Sequence, residues 1–100
     1  MSDKEVSSDK QLHACVEVYI SRRCVYCVRA KSLLESKDVS YVEYVVDGDD
    51  KARDQMAERT RGRNTVPQVF INNDSIGGFY DLLQLEQSGE LDALLFSLLD

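Results

Sequence analysis

The sequence predicts an α/β domain with the element order βαβαββαα, in which a mixed four-stranded sheet is flanked by helices. Two patterns carry this expectation. Short β-branched and aromatic runs alternate with stretches of helical period in the first half of the chain, and two closely spaced apolar runs then precede a leucine-rich end. A strand-helix-strand opening requires a crossover between parallel strands, and a later hairpin adds antiparallel neighbours. At 100 residues, with 43% apolar and 30% charged side chains, the chain has material for one packed domain and not for two.

Cys15-Val16-Glu17-Val18-Tyr19-Ile20 alternates as a strand buried on at least one face. From Val25 to about Ser36, Cys27, Ala30, Leu33 and Leu34 recur on one face of a helix, with Cys24 just ahead of it. Tyr41 to Val46 reads as the second strand, and Asp47-Gly48-Asp49-Asp50 supplies a turn and acidic caps for a helix from Lys51 to Arg59. Gly62 is placed to break the chain. Gln68 to Asn72 and Ser75-Ile76 form a hairpin about Asn73-Asp74. A shorter helix near Asp81 to Gln87 stops at Gly89, after which Leu91, Leu94, Leu95 and Leu98 mark an amphipathic helix. Residues 1–13 are polar and aperiodic, so a flexible N-terminal tail leads into a domain spanning 14–100.

The charge balance excludes some partners. A net charge of −6 argues against a general nucleic-acid binder. No Lys or Arg follows Arg63, so the acidic excess belongs to the leucine-rich end. The first residues hold no apolar run fit for a signal peptide and no later stretch approaches membrane-spanning length, which predicts a soluble cytoplasmic protein with no membrane partner. Three cysteines, an odd and sparse set, also suit a reducing compartment better than a disulfide framework.

Cys24-Val25-Tyr26-Cys27 is the segment with chemistry in it. Thiol-disulfide exchange needs one exposed thiolate to attack and a second thiol within reach to resolve the mixed disulfide. A two-residue spacing at a helix start supplies both, because helix N–H groups and the dipole favour an anion at the first sulfur while the second sits one turn on, toward the core. The same spacing is half of a zinc site. The only other soft ligands are His13 and Cys15, and Cys15 reads as a buried small side chain of the first strand and His13 as a tail residue, so the strand-then-helix setting favours redox chemistry.

Val16-Glu17-Val18-Tyr19 before the cysteine pair, then Thr65-Val66-Pro67-Gln68-Val69-Phe70-Ile71, and finally Gly77-Gly78 with Asp81-Leu82, resemble the glutaredoxin family from residue 15 to about 98. The resemblance implies a thioredoxin-like fold. It also implies glutathione-dependent reduction of protein-glutathione mixed disulfides and of protein disulfides, with Cys24 attacking and Cys27 resolving. It places a cis bond before Pro67, turning the backbone of Val66 toward the cysteines, where glutathione can pair like an added strand, and counts Thr65, Val66 and Pro67 among the glutathione-binding residues. Gly78 lets the backbone approach closely, and the N–H groups of Phe79 and Tyr80 suit the γ-glutamyl carboxylate. Asp81 suits the ammonium, Arg63 matches the position that reaches the glycine carboxylate, and Tyr26 lies against the tripeptide. The implied partners are glutathione and glutathionylated or disulfide-containing proteins, met by a monomer.

Two positions depart from the dithiol pattern. Val25 stands where most dithiol members have proline, and Ser21 where they have a lysine three residues before the first cysteine. The lost cation is replaced only if Arg22 or Arg23 turns toward the sulfur. Proline-free relatives are those in which glutathione-ligated [2Fe-2S] dimers are met, with Cys24 of each chain as the metal ligand. A thioredoxin-reductase-dependent redoxin is a further alternative, although its helix-start signature differs from Gly77-Gly78.

Overall fold

The computed structural model describes residues 13–96. Its elements are β1 (Val16–Ile20), α1 (Val25–Ser36), β2 (Val42–Val45), α2 (Asp50–Thr60), β3 (Gln68–Ile71), β4 (Asp74–Gly77), α3 (Phe79–Ser88) and α4 (Glu90–Phe96). The sheet runs β2-β1-β3-β4, with β1 parallel to β2 and antiparallel to β3, and β4 antiparallel to β3. The βαβαββαα order and mixed sheet read from the sequence are therefore those of the molecule. Leu98 and residues 1–12 of the expected tail lie outside the described residues.

The alternation in β1 divides two cores rather than core and solvent. Val16, Val18 and Ile20 join Val69 and Ile71 on one face, against Cys27, Ala30 and Leu34 of α1, Leu82 of α3, and Leu91 and Leu95 of α4. Tyr19 and Phe70 point the other way, against Val46 and Met56 of α2. The sheet is thus covered on both sides, and burying one Val or Leu side chain contributes about 1.5–3 kcal/mol.

Several local differences from the sequence reading have physical causes. The hairpin turns at Asn72-Asn73, one residue earlier than Asn73-Asp74, because both asparagines take positive φ (51° and 71°), as a two-residue primed turn requires. Asp74 is then free to pair with Ile71. α2 stops at Arg61 rather than Gly62: Arg61 is left-handed at φ 64°, and the Gly62 N–H closes onto the Ala57 carbonyl at 2.7 Å. α3 starts at Phe79, two residues before the expected Asp81, and Gly89 ends it at φ 85°. Cys15 is exposed, not buried, and beyond the end of the β1 ladder its N–H donates to the Asn72 side-chain Oδ1 while its carbonyl accepts the Asn72 N–H. His13 is not a loose tail residue, since its Nε2 accepts from the Ser40 N–H at 3.1 Å.

Charge ties the layers together. Lys37, at the end of α1, reaches Glu86 of α3 at 2.6 Å and Asp92 of α4 at 2.8 Å, so one cation anchors the acidic end of the chain. On the opposite face Arg59 of α2 lies 3.9 Å from the centre of the Phe70 ring, binds Glu17 through both nitrogens and donates to the Tyr19 hydroxyl. The Arg59 guanidinium and the Tyr44 hydroxyl hold the Glu17 carboxyl below the usual glutamate range, against the opposing effect of burial. Arg59→Ala is expected to lower stability by about 2 kcal/mol, the scale of a hydrogen bond to a charged group, read as a lower urea midpoint. Because folding lowers the Glu17 pKa, its contribution exists above the ordinary glutamate range and is lost as pH falls through the folded value. The stability gap between wild type and Glu17→Gln is therefore widest near neutral pH and closes below about pH 4.

Candidate active site at the Cys24 and Cys27 pair

Cys24 is the N-cap of α1. Its extended backbone (φ −110°, ψ 111°) turns the chain from β1 into the helix, and its Sγ accepts the Cys27 N–H at 3.1 Å. That N–H is one of the donors every helix start leaves unpaired, and no acidic side chain in the first turn opposes an anion there. The Sγ also donates to the Val66 carbonyl at 3.6 Å. Cys27 is buried. Burial pushes its thiol up to about 12, reinforced by its hydrogen bond with Cys24 and the charge that Cys24 carries when ionised.

Neither flanking arginine takes the place of the missing lysine by a contact seen here. Ser21 donates its hydroxyl to Asp47 at 2.7 Å, the Arg22 N–H donates to the same carboxylate at 2.9 Å, and the Arg22 guanidinium stands 3.7 Å from it. These contacts hold the Asp47 carboxyl below the usual aspartate range, with the Ser21 hydroxyl the largest cause. Arg22 is thus directed to Asp47, and Arg23 is exposed.

The Val66–Pro67 bond is cis. Thr65 is exposed, while Val66 is half-buried and packs against both cores. The glycine segment comes up beside it, for a Cβ built on Gly78 would stand 3.4 Å from the Pro67 carbonyl. Gly78 is the N-cap of α3 and has no side chain to cap the N–H groups of that first turn, which include those of Phe79 and Tyr80. Asp81 folds back to accept the Gly78 N–H at 2.9 Å and lies 3.6 Å from Arg63. Gly77 makes this possible: it sits at φ 115°, and a Cβ there would overlap the Asp81 carboxylate and stand 2.8 Å from the Arg63 guanidinium.

Tyr26, two residues past Cys24, joins the start of α3 through an aromatic cluster with Phe79 and Tyr80. Tyr26 stacks on Phe79 (5.9 Å between centroids) and tilts against Tyr80 (5.5 Å), and the Tyr80 hydroxyl donates to that of Tyr26 at 3.4 Å. Arg29 lies 5.4 Å over the Tyr26 ring, one helical turn on. Sequence reasoning missed Arg29 and Asp47. The i, i+3 spacing from Tyr26 was a usable signal for Arg29, but nothing local ties Asp47 to Ser21. The residues singled out from the sequence make three sets of contacts, with Arg22 and Arg23 outside them. Cys27 and Val66 meet Cys24 at the sulfur, Tyr26, Phe79 and Tyr80 touch one another through their rings, and Arg63, Gly78 and Asp81 meet beside the Pro67 carbonyl, with Thr65 bonded to Gln68.

A strand-launched helix whose capping cysteine faces a cis-proline segment defines a thiol-disulfide oxidoreductase of thioredoxin-like fold. The glutaredoxin family model matches residues 16–76, and the chain belongs to that family. It is 50% identical to a probable glutaredoxin of Synechocystis sp. over 84% of this chain and 77% of the relative. It is also 50% identical to glutaredoxin 3 of Escherichia coli K12, over 82% of this chain and 98% of the relative. Among solved structures, the glutaredoxin of Brucella melitensis superposes with a TM-score of 0.74 at 40% identity, over 86% of this chain and 92% of that one. A buckwheat glutaredoxin-glutathione complex shares the fold at 24% identity, with a TM-score of 0.76 over 94% of this chain and 86% of that one.

Two outcomes follow from this geometry. Brief alkylation of the native protein at pH 7, mapped by mass spectrometry, labels Cys24 and the exposed Cys15 and spares Cys27 until the protein is unfolded. Gly77→Ala lowers stability by about 1–2 kcal/mol, measured by urea denaturation, through its positive φ and the displaced Asp81.

Proposed function

We propose that this chain is a glutathione-dependent reductase of protein-glutathione mixed disulfides and protein disulfides, working in the cytoplasm, with Cys24 as nucleophile and Cys27 as resolving thiol. The observation that carries this reading is the Cys24 sulfur held between the Cys27 N–H and the Val66 carbonyl, at the edge of a segment able to pair with a peptide. Glutathione bears two carboxylates and one ammonium. Its backbone pairs along Thr65 and Val66 ahead of Pro67, its glycine carboxylate meets Arg63, and its γ-glutamyl carboxylate meets the N–H groups of Phe79 and Tyr80 beside Gly78. Asp81 takes the ammonium, and Tyr26 lies along the tripeptide. Arg63 and Asp81 face each other in this structure, so the ligand exchanges one ion pair for two.

In the first step the Cys24 thiolate attacks the glutathionyl sulfur. The mixed disulfide breaks, the protein thiolate leaves and takes a proton from water, and Cys24 carries glutathione. A free glutathione thiolate then attacks that glutathionyl sulfur, releasing oxidised glutathione and restoring the Cys24 thiolate, so each mixed disulfide consumes one free glutathione and the other half of the oxidised product comes from the substrate. Cys27 can instead displace glutathione to give the Cys24–Cys27 disulfide. Burial holds the Cys27 thiol protonated in the reduced protein, so this displacement requires Cys27 to lose its proton as it attacks.

A glutathione-ligated [2Fe-2S] dimer would take one Cys24 from each chain. Among the described residues no group of three or more His, Cys, Asp or Glu side chains is placed to hold a metal ion. The visible spectrum of an anaerobically purified sample tests this directly.

Assayed with glutathione and a glutathionylated peptide, Cys24→Ser is expected to lose all turnover. Cys27→Ser keeps deglutathionylation and loses reduction of protein disulfides through the dithiol route. Turnover retained in Cys24→Ser, or supported by thioredoxin reductase and not by glutathione, would overturn the assignment.

A further inference from the structure

Gln68 is the one buried polar residue among those described, with 1% of its surface exposed. It opens β3 directly after the cis bond and pairs in register with Tyr19, on the sheet face that α2 covers. Its amide is only half satisfied. Nε2 donates to the Thr65 hydroxyl at 3.3 Å, while Oε1 finds no partner among the described residues. An unpaired buried carbonyl costs stability, and an apolar side chain of similar shape would not incur that cost. Fold stability alone therefore gives no reason for an amide at this position.

What the amide does reach is Thr65, in the irregular stretch 61–67 that also carries Arg63 and Val66. β3 is held between β1 and β4, whereas Thr65 is exposed and outside the sheet. The Gln68–Thr65 bond therefore spans Pro67 and carries the fixed position of β3 into the segment whose Val66 carbonyl accepts from Cys24. We infer that Gln68 is a positioning residue of the active site, acting through Thr65 to set the backbone of Thr65 and Val66 for pairing with glutathione. The inference rests on the proposed pairing of glutathione along that segment.

The test uses the full chain as wild type, Gln68→Met, Thr65→Val and the double variant. Four quantities are measured: amide hydrogen exchange at Thr65 and Val66 without glutathione, kcat and KM for glutathione with a glutathionylated peptide, and the urea midpoint. For Gln68→Met the expected result is a midpoint no lower than wild type, faster exchange confined to the 63–66 segment, and a KM raised roughly 3- to 10-fold with kcat within about 2-fold. That change is about what one net hydrogen bond is worth. Thr65→Val gives the same KM shift, and the double variant is no worse than either single one. Wild-type exchange and KM in Gln68→Met overturn the inference. So does a lowered midpoint with exchange raised evenly across the domain, which would make Gln68 merely structural. If wild-type turnover does not depend on glutathione, the glutathione reading falls, and the exchange measurement still decides whether Gln68 orders the segment.

Discussion

The two central strands, β1 and β3, are buried on both faces and run antiparallel, and this constraint organises the rest of the molecule. Because they are antiparallel, the end of β1 lies beside the start of β3, with Tyr19 opposite Gln68. The chain leaving β1 becomes the cap of α1, and the chain entering β3 is the cis-proline segment. Cys24 and Val66, 42 residues apart in sequence, are delivered to the same end of the sheet without any contact designed between them alone. Neither strand can slip by one residue without exchanging its two sets of side chains between two different cores, so the register that places the sulfur against the carbonyl is set by packing.

That packing also separates the two thiols chemically. Cys24 and Cys27 are one helical turn apart, yet one is a cap at the surface and the other belongs to the core with Ala30 and Leu34. The contrast arises from the helix period rather than from any special residue nearby. The placement of the sulfur does not depend on Val25 or Ser21, since the Cys27 N–H and the Val66 carbonyl that contact it are backbone groups.

Much of this was legible in the sequence, for identifiable reasons. The element order followed from periodicity, and the cysteine pair, the Thr65-Val66-Pro67 segment and the glycine pair are local motifs that need no tertiary knowledge to notice. What escaped was long-range or depended on φ. The hairpin shifted to Asn72-Asn73 because three polar residues in a row leave the turn position to be decided by the pairing of Asp74 with Ile71. Cys15 looked like a strand residue but lies just ahead of β1, with Ala14 and Val16 buried on either side of it and its own thiol exposed. The link of Ser21 and Arg22 to Asp47 crosses from one loop to another, and no pattern of spacing announces it.

The outward thiol of Cys15 has a practical side. It precedes β1 while Cys24 follows it, and a five-residue strand separates such ends by roughly 17 Å. Once Cys24 and Cys27 are joined to each other, Cys15 is the single sulfhydryl left in the chain. A maleimide support or a fluorophore attached at that stage would be carried at the far end of the sheet, and reduction afterwards would restore an immobilised protein with its reactive face toward solvent.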